Sequence, residues 1–290
     1  MRIIKQKKYF ITYGTKNFNI QKKRLISTAR KVEIFDNLIS LDFNDLDSEF
    51  KKRHSNILIY ERLGGFGIWK HHIIKNLLEQ INEGDIIVYS DSGSSFNPKG
   101  IRQLNNYFEK LNTSNSGNLM FKLPDYVEKN WTIKEIFKHF NLEVESEIGN
   151  SSQLISGHML FKKNKNMIDY FKEYEKFVNV NSELLTNNLD KIDQIEEFKE
   201  NRHDQSIFSI LSKIYEAEVI DDETWFENNP QDQFEYPFLA VRQKKYSVWQ
   251  IVKFYIFYFY YKDKTIYFGE KKYWYLKPSI FTRIKYKLGK

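Results

Sequence analysis

Apolar and polar positions along this chain repeat with two different periods, and together they predict alternating strands and helices. Residues 8–14 (KYFITYG) are a short apolar run closed by a glycine turn, the pattern of a buried strand. Residues 20–31 are basic and modestly amphipathic, a helix, and residues 32–42 (VEIFDNLISLD) read as a second strand region. Trp69, Ile73, Leu77 and Ile81 fall on one helical face, widened by Ile74 and Leu78. Gly84-Asp85 stops that helix. Ile86 to Tyr89 follows as an uninterrupted apolar run, which predicts a central parallel strand covered on both faces. Asp91 stands just past its C-terminal end.

The pattern continues through the next hundred residues. Asn97-Pro98 is a helix start, with Ile101, Leu104, Phe108 and Leu111 as its buried face. Thr132 to Glu135 has the form of a capping box opening a short helix through Phe140. Residues 154–161 (LISGHMLF) read as one strand, 167–178 and 205–215 as helices, and 179–201 as a polar, acidic surface excursion. Strands alternating with helices indicate an α/β fold with a mostly parallel central sheet.

Composition narrows the class. At 41% hydrophobic and 29% charged residues the chain is globular. With no cysteine, disulfides, thiolate metal sites and a cysteine nucleophile are excluded. No segment offers ~20 uncharged apolar residues, so no span and no signal peptide is read, and a cytoplasmic protein is the expectation. Charge is divided unevenly. Residues 241–290 hold thirteen Lys and Arg against two acids, Asp263 and Glu270, a net +11 where the whole chain is +7. Residues 1–240 therefore carry a net −4, which removes most support for a nucleic-acid binder. Two units follow: a domain over 1–240 and a basic, aromatic segment over 241–290.

Four segments are candidates for chemistry, each with a plain alternative. Ser90-Asp91-Ser92-Gly93 lies where open α/β sheets bind ligands, and its carboxylate suits a divalent metal or a ribose hydroxyl; all its residues also form turns. Arg202-His203-Asp204-Gln205-Ser206 precedes an amphipathic helix. There Asp204 is either an ordinary N-cap or one of a His, carboxylate and amide group suited to sugar hydroxyls or phosphate. Gly64-Gly65-Phe66-Gly67-Ile68-Trp69-Lys70 looks like a phosphate-cradling loop but has neither P-loop nor dinucleotide spacing, leaving a flexible helix entry as its alternative. Gln153 to Met159 places a polar pair inside an apolar strand, a sign of close ligand approach or of a bulge. His71 and His72 are adjacent and cannot readily share a metal.

Taken in order, these segments resemble the GT-A-fold glycosyltransferases of bacterial and viral surface-glycan synthesis. The resemblance runs over residues 8–240 through Phe10 to Gly14, Gly65 to Lys70, Tyr89 to Gly93, Trp131-Thr132, Gln153 to Phe161 and Arg202 to Ser206. It implies a GT-A-like, Rossmann-like sheet flanked by helices and transfer of a hexose from a nucleotide-sugar, most simply a UDP-sugar. The acceptor it implies is a glycan or glycolipid. Thr12, Tyr13 and Gly14 would contact the base, and Asp91, Ser92 and Gly93 would stand at the Asp-x-Asp element that binds ribose and metal-diphosphate. Ser156 and Gly157 would line the sugar pocket, with His203, Asp204 and Gln205 beside it. Asp204 and Gln205 would lie near the anomeric carbon, an arrangement that slightly favours retention. The implied cofactor is a divalent metal, Mn2+ or Mg2+, held by Asp91. Gly93 replaces the second acid of that element, so metal dependence is in question. Asp204 completing the site, or Lys and Arg neutralising the diphosphate, with Arg242 as candidate, are the other solutions. Gly93 also keeps open a pseudo-glycosyltransferase that serves as a membrane-docked assembly factor.

The last segment adds one expectation. Residues 246–286 interleave Lys with sixteen Tyr, Phe and Trp. Rings at headgroup depth and lysines attracted to anionic lipid suit peripheral binding to the inner face of a membrane. Several lipo-oligosaccharide galactosyltransferases end in a similar tail. A cap on the domain core is the plain alternative, and single-stranded nucleic acid a remote one.

Overall fold

The structure, a computed structural model, describes residues 5–224 and 235–240 and the backbone of two short strands, Ile266–Phe268 and Lys271–Tyr273. Apart from those two strands, the proposed 241–290 segment, with Arg242 and the residues that carry its membrane reading, lies outside the described residues.

Seven strands form the central sheet: β1 (Lys8–Tyr13), β2 (Asn37–Leu41), β3 (Ile86–Ser90), β4 (Asn118–Val127), β5 (Ser152–Leu154), β6 (His158–Lys162) and β7 (Glu218–Asp221). Their order is β2-β1-β3-β6-β4-β7, with β5 pairing the far half of β4. Strands β2, β1 and β3 pair in parallel, as do β4 and β7. β6 runs against both β3 and β4, and β5 runs against β4. Five strands therefore point one way and two the other, the mostly parallel α/β sheet expected of a GT-A-like fold. β2 is shorter than the region read for it: residues 32–36 form a turn, with Val32 buried and Phe35 packed on Phe10 and Phe96, before Asn37 joins the ladder.

Period-two alternation builds both faces of this sheet. Phe10, Ile86, Val88, Leu119 and Leu160 point to one side, where helices α1 (Asn19–Arg30) and α2 (Ile101–Thr113) cover them with Leu25, Ala29, Leu104, Phe108 and Leu111. Ile11, Ile87, Tyr89, Met120, Met159 and Phe161 point to the other. That side is covered by three further helices: Trp69–Gln80, Lys165–Asn181 and Asp204–Ile214. All five residues of β3 are buried, as its apolar run predicts.

Local expectations were revised in three places. The helix Lys134–His139 has no capping box: Thr132 Oγ1 donates to Glu128 Oε1 at 2.6 Å, and Lys134 N–H is capped by Gln194 Oε1 at 3.0 Å. Gln194 belongs to the stretch read as a surface excursion, which also buries Leu184, Leu185 and Asn201. The strand read over 154–161 is broken at 155–157, where the chain leaves the ladder between β5 and β6. Ile155 N–H still reaches Phe121 O at 2.9 Å, so the break is a local detour in an otherwise paired line.

Candidate active site

The break at Ser156-Gly157 lies against the C-terminal end of β3. Asp91 N–H donates to Gly157 O at 2.8 Å, and a Cβ on Gly157 would stand 3.4 Å from Asp91 Oδ2. The end of β1 adjoins the same place. Gly14 is so close to the turn after β3 that an added Cβ would meet Ser92 Oγ at 2.9 Å. The turn itself is anchored from α1: Arg24 Nη2 donates to Ser94 O at 2.8 Å and Gly93 O at 3.4 Å. Strand ends Gly14, Asp91 to Gly93 and Ser156-Gly157 thus form one edge, as strand order and the reversed β6 require.

Lys70 ties this edge to the helices. Its ammonium lies 2.6 Å from Asp204 Oδ2 and 3.4 Å from Asp91 Oδ1, and donates to Ser156 O and Oγ at 3.1 and 3.2 Å. Ser156 Oγ in turn donates to Asp204 Oδ2 at 2.9 Å, and Tyr89 OH donates to Asp91 Oδ1 at 2.6 Å. The side chains of Lys70 and Asp204 are 5% and 4% exposed, whereas that of Asp91 is 49% exposed. Two residues are therefore locked inside and one carboxylate faces out. Burial would lower the Lys70 ammonium's affinity for its proton, but the carboxylates of Asp204 and Asp91 outweigh it and hold the group above its ordinary 10.5. Asp204 does not cap its helix. His203 holds the cap position, and the carboxylate of Asp204 is given to Lys70 and Ser156.

The glycine-rich segment has a different role from a phosphate cradle. Leu63, Gly64, Gly65, Phe66 and Gly67 all have positive φ, between 51° and 91°, a left-handed turn. Its N–H groups are used internally: Gly64 to Glu61 O, Gly65 to Tyr60 O, Phe66 to Arg62 O, Gly67 to Gly65 O and Ile68 to Gly65 O. None of these remains for a phosphate. What the turn achieves is proximity. A Cβ at Gly67 would stand 2.6 Å from Asp204 Cγ and Oδ1, so the backbone packs directly on the buried carboxylate. Left-handed φ costs roughly 1–2 kcal/mol at each non-glycine residue. Leu63 and Phe66 are held there by Trp69 Nε1 donating to Leu63 O at 3.0 Å and by Phe66 packing on His203 and Tyr60.

The remaining expected residues are distributed around this centre. Gln205 accepts weakly from Ser156 N at 3.5 Å and donates to Gln153 Oε1 at 2.7 Å. Tyr13 stacks on Trp69 with ring centroids 3.8 Å apart, and burial, then Asp42 and Asp45, raise its phenol above the ordinary value. Thr12 is wholly buried in β1. His203 is not gathered on Lys70: its Nδ1–H donates to Leu185 O at 2.7 Å, which leaves Nε2 as the neutral acceptor, and its ring faces Phe66. Burial lowers its affinity for a proton.

A resident divalent ion does not fit these groups. The place between Asp91 and Asp204 is filled by a donor-only ammonium, Gly93 supplies no ligand, and among the described residues no three His, Asp or Glu side chains are grouped to hold a metal. All six histidines are described, and none adjoins Asp91 except His158, whose nitrogens bond Ser90 Oγ and Ser94 Oγ at 3.0 and 3.4 Å.

Sequence reasoning assigned no role to Lys70, although a signal was present. Lys70, Ile74 and Leu78 are spaced four apart on the face read as apolar, and a lysine in such a line needs a buried partner.

No family profile matches the chain, and no curated protein does. Among solved structures, it is similar to a glycosyltransferase involved in glycosylation of the major capsid of PBCV-1, at 12% identity over 80% of this chain and 93% of that one, with a TM-score of 0.45. Mouse xyloside xylosyltransferase 1 in its apo form aligns at 13% identity over 83% and 96%, with a TM-score of 0.44. The galactosyltransferase LgtC, in complex with donor and acceptor sugar analogs, aligns at 12% over 80% and 86%, with a TM-score of 0.40. Overlap at this level decides neither activity nor substrate.

Proposed function

We propose that this protein is a glycosyltransferase that moves a hexose from a nucleotide-sugar, most simply a UDP-sugar, to a glycan or glycolipid acceptor. One observation carries the reading: Asp91 and Asp204, 113 positions apart in sequence, converge on a single buried ammonium at the C-terminal edge of the sheet. Ligands of open α/β sheets bind at that edge. Gly14, Ser92 and Gly93 would receive the nucleotide, and the exposed carboxylate of Asp91 the ribose or diphosphate. Ser156, Gly157, Asp204 and Gln205 would surround the sugar. A carboxylate and an amide carbonyl beside the anomeric carbon favour charge as it develops there. Strand ends that place backbone and carboxylate together suit this chemistry better than a nucleic-acid surface does.

Thermal-shift screening against UDP-, GDP- and CMP-sugars, each with and without manganese, followed by donor hydrolysis, is the direct test. The manganese arm reads whether the ion expected at Asp91 enters with the nucleotide. Asp91→Asn should abolish transfer while moving the melting temperature little, because its side chain is half exposed. Stabilisation by a nucleotide without turnover would favour the pseudo-enzyme; no response to any donor would end the reading. We extend the proposal to peripheral membrane docking on the strength of the net +11 and the aromatic content of residues 241–290. The full chain should then bind anionic vesicles in preference to neutral ones, and truncation after Ala240 should release it from the anionic ones. Equal binding to both lipids, or to neither, refutes it.

A further inference from the structure

We propose that Glu128, acting through Gln153, fixes which end of the Gln205 amide faces the cleft, and is thereby a positioning residue for transfer. The catalytic part of this inference rests on the donor-cleft reading above.

Glu128 lies in the short helix Glu128–Trp131 and is fully buried, remote from Asp91 and Lys70 in the chain. Its carboxylate accepts from Thr132 Oγ1 at 2.6 Å, Gln153 Nε2 at 3.0 Å, Lys213 Nζ at 2.6 Å and the Ser209 hydroxyl. A carboxylate has no hydrogen to give, so each of these partners must donate. Gln153, also fully buried, therefore turns its NH2 toward Glu128, where Trp131 O at 3.4 Å and Thr132 Oγ1 at 3.3 Å are further acceptors. Its Oε1 is left facing Gln205, whose Nε2 donates to it at 2.7 Å. The oxygen of Gln205 must then point the other way, to the strand break at Ser156 N.

The oxygen and nitrogen ends of an amide have nearly the same shape, so packing alone does not choose between them. Here the choice starts at a group with one polarity and passes through two amides to the site. Direction matters chemically. An amide oxygen beside Asp204 favours positive charge growing on a sugar carbon, whereas a reversed amide would present N–H groups to it. Lys213 sharpens the test. Since an ammonium only donates, Glu128→Gln must turn its new oxygen to Lys213 and its NH2 to Gln153, setting donor against donor.

The experiment is a double-mutant cycle on the full chain, read by denaturant unfolding, with Glu128→Gln, Gln205→Glu and the pair. Each single change leaves two like ends facing across Gln153. The pair restores a consistent chain running in reverse, so its folding constant should exceed the product of the two single losses by about tenfold or more. Additive losses overturn the relay. In parallel, Glu128→Gln should lower kcat for donor cleavage about tenfold with KM little changed. Gln153→Met should do the same, and serves if Glu128→Gln does not fold. Lys213→Met removes a different partner of Glu128 without touching Gln153, and should lose stability but keep kcat. If kcat instead follows stability in all three variants, Glu128 is merely structural and the proposal fails. If the wild-type protein cleaves no nucleotide-sugar, the functional reading falls on its own, and the stability cycle still decides the relay.

Discussion

Replacing Lys70 by methionine removes a charge but keeps most of the volume, and isolates what the buried ion pair does. The variant leaves the Asp204 carboxylate, 4% exposed, with Ser156 Oγ but without its countercharge. Breaking one half of a buried pair costs about 3–5 kcal/mol. The raised ammonium sets the pH window: its stabilisation is complete below pH 10.5 and is lost as pH rises through the folded value, so urea unfolding at pH 7 reads the full cost. Lys70→Met/Asp204→Asn, which buries no lone charge, should recover much of the loss. No recovery in the double variant would show that Lys70 does not hold Asp204 as an ion pair.

Two further perturbations test the close approach and the buried imidazole. Gly67→Ala should cost more than Gly84→Ala in urea unfolding and should also depress donor hydrolysis. Both positions have φ near +80°, about 1 kcal/mol of strain for alanine, but only at Gly67 does the new Cβ strike Asp204, where Gly84 has nothing within 4 Å; equal costs would refute the packing argument. His158 is pushed down to about 4, chiefly by burial, so the unfolded chain takes the proton first and stability falls with pH between ~6.5 and 4. From pH 7 to pH 5 the loss should be about 2 kcal/mol, and His158→Gln should show a correspondingly shallower pH dependence.

The fold was legible wherever burial is one-sided or complete. β3 is read directly from Ile86 to Tyr89 because both its faces are covered, and the helix Trp69–Gln80 from its apolar stripe. Errors arose where a polar side chain had two partners to choose from. Thr132 has the form of a cap but bonds a buried glutamate, a preference set by Glu128 four residues earlier and by Lys213 and Ser209 much later in the chain. Asp204 has the form of an N-cap but serves Lys70 instead. Local pattern cannot rank such alternatives, because the winning partner is brought by tertiary contact.

The same reasoning explains why the acidic positions of the site were easier to find than the basic one. Asp91 follows the end of an apolar strand and is half exposed, so its placement depends on one local feature. Lys70 is buried and depends on three distant segments at once: the end of β3, the break before β6 and the helix beginning at Asp204. Folding brings a formal net charge of minus one to that centre when one ammonium meets two carboxylates, and the outward-facing one is left open to solvent. The strained turn at 63–67 then has a physical purpose. It brings backbone, not a side chain, against Asp204, and so leaves the inner carboxylate with Lys70 and Ser156 while Asp91 alone of the pair faces outward. Division of labour between a locked carboxylate and an open one follows from the burial and spacing of these few residues, and it is what the proposed donor site would use.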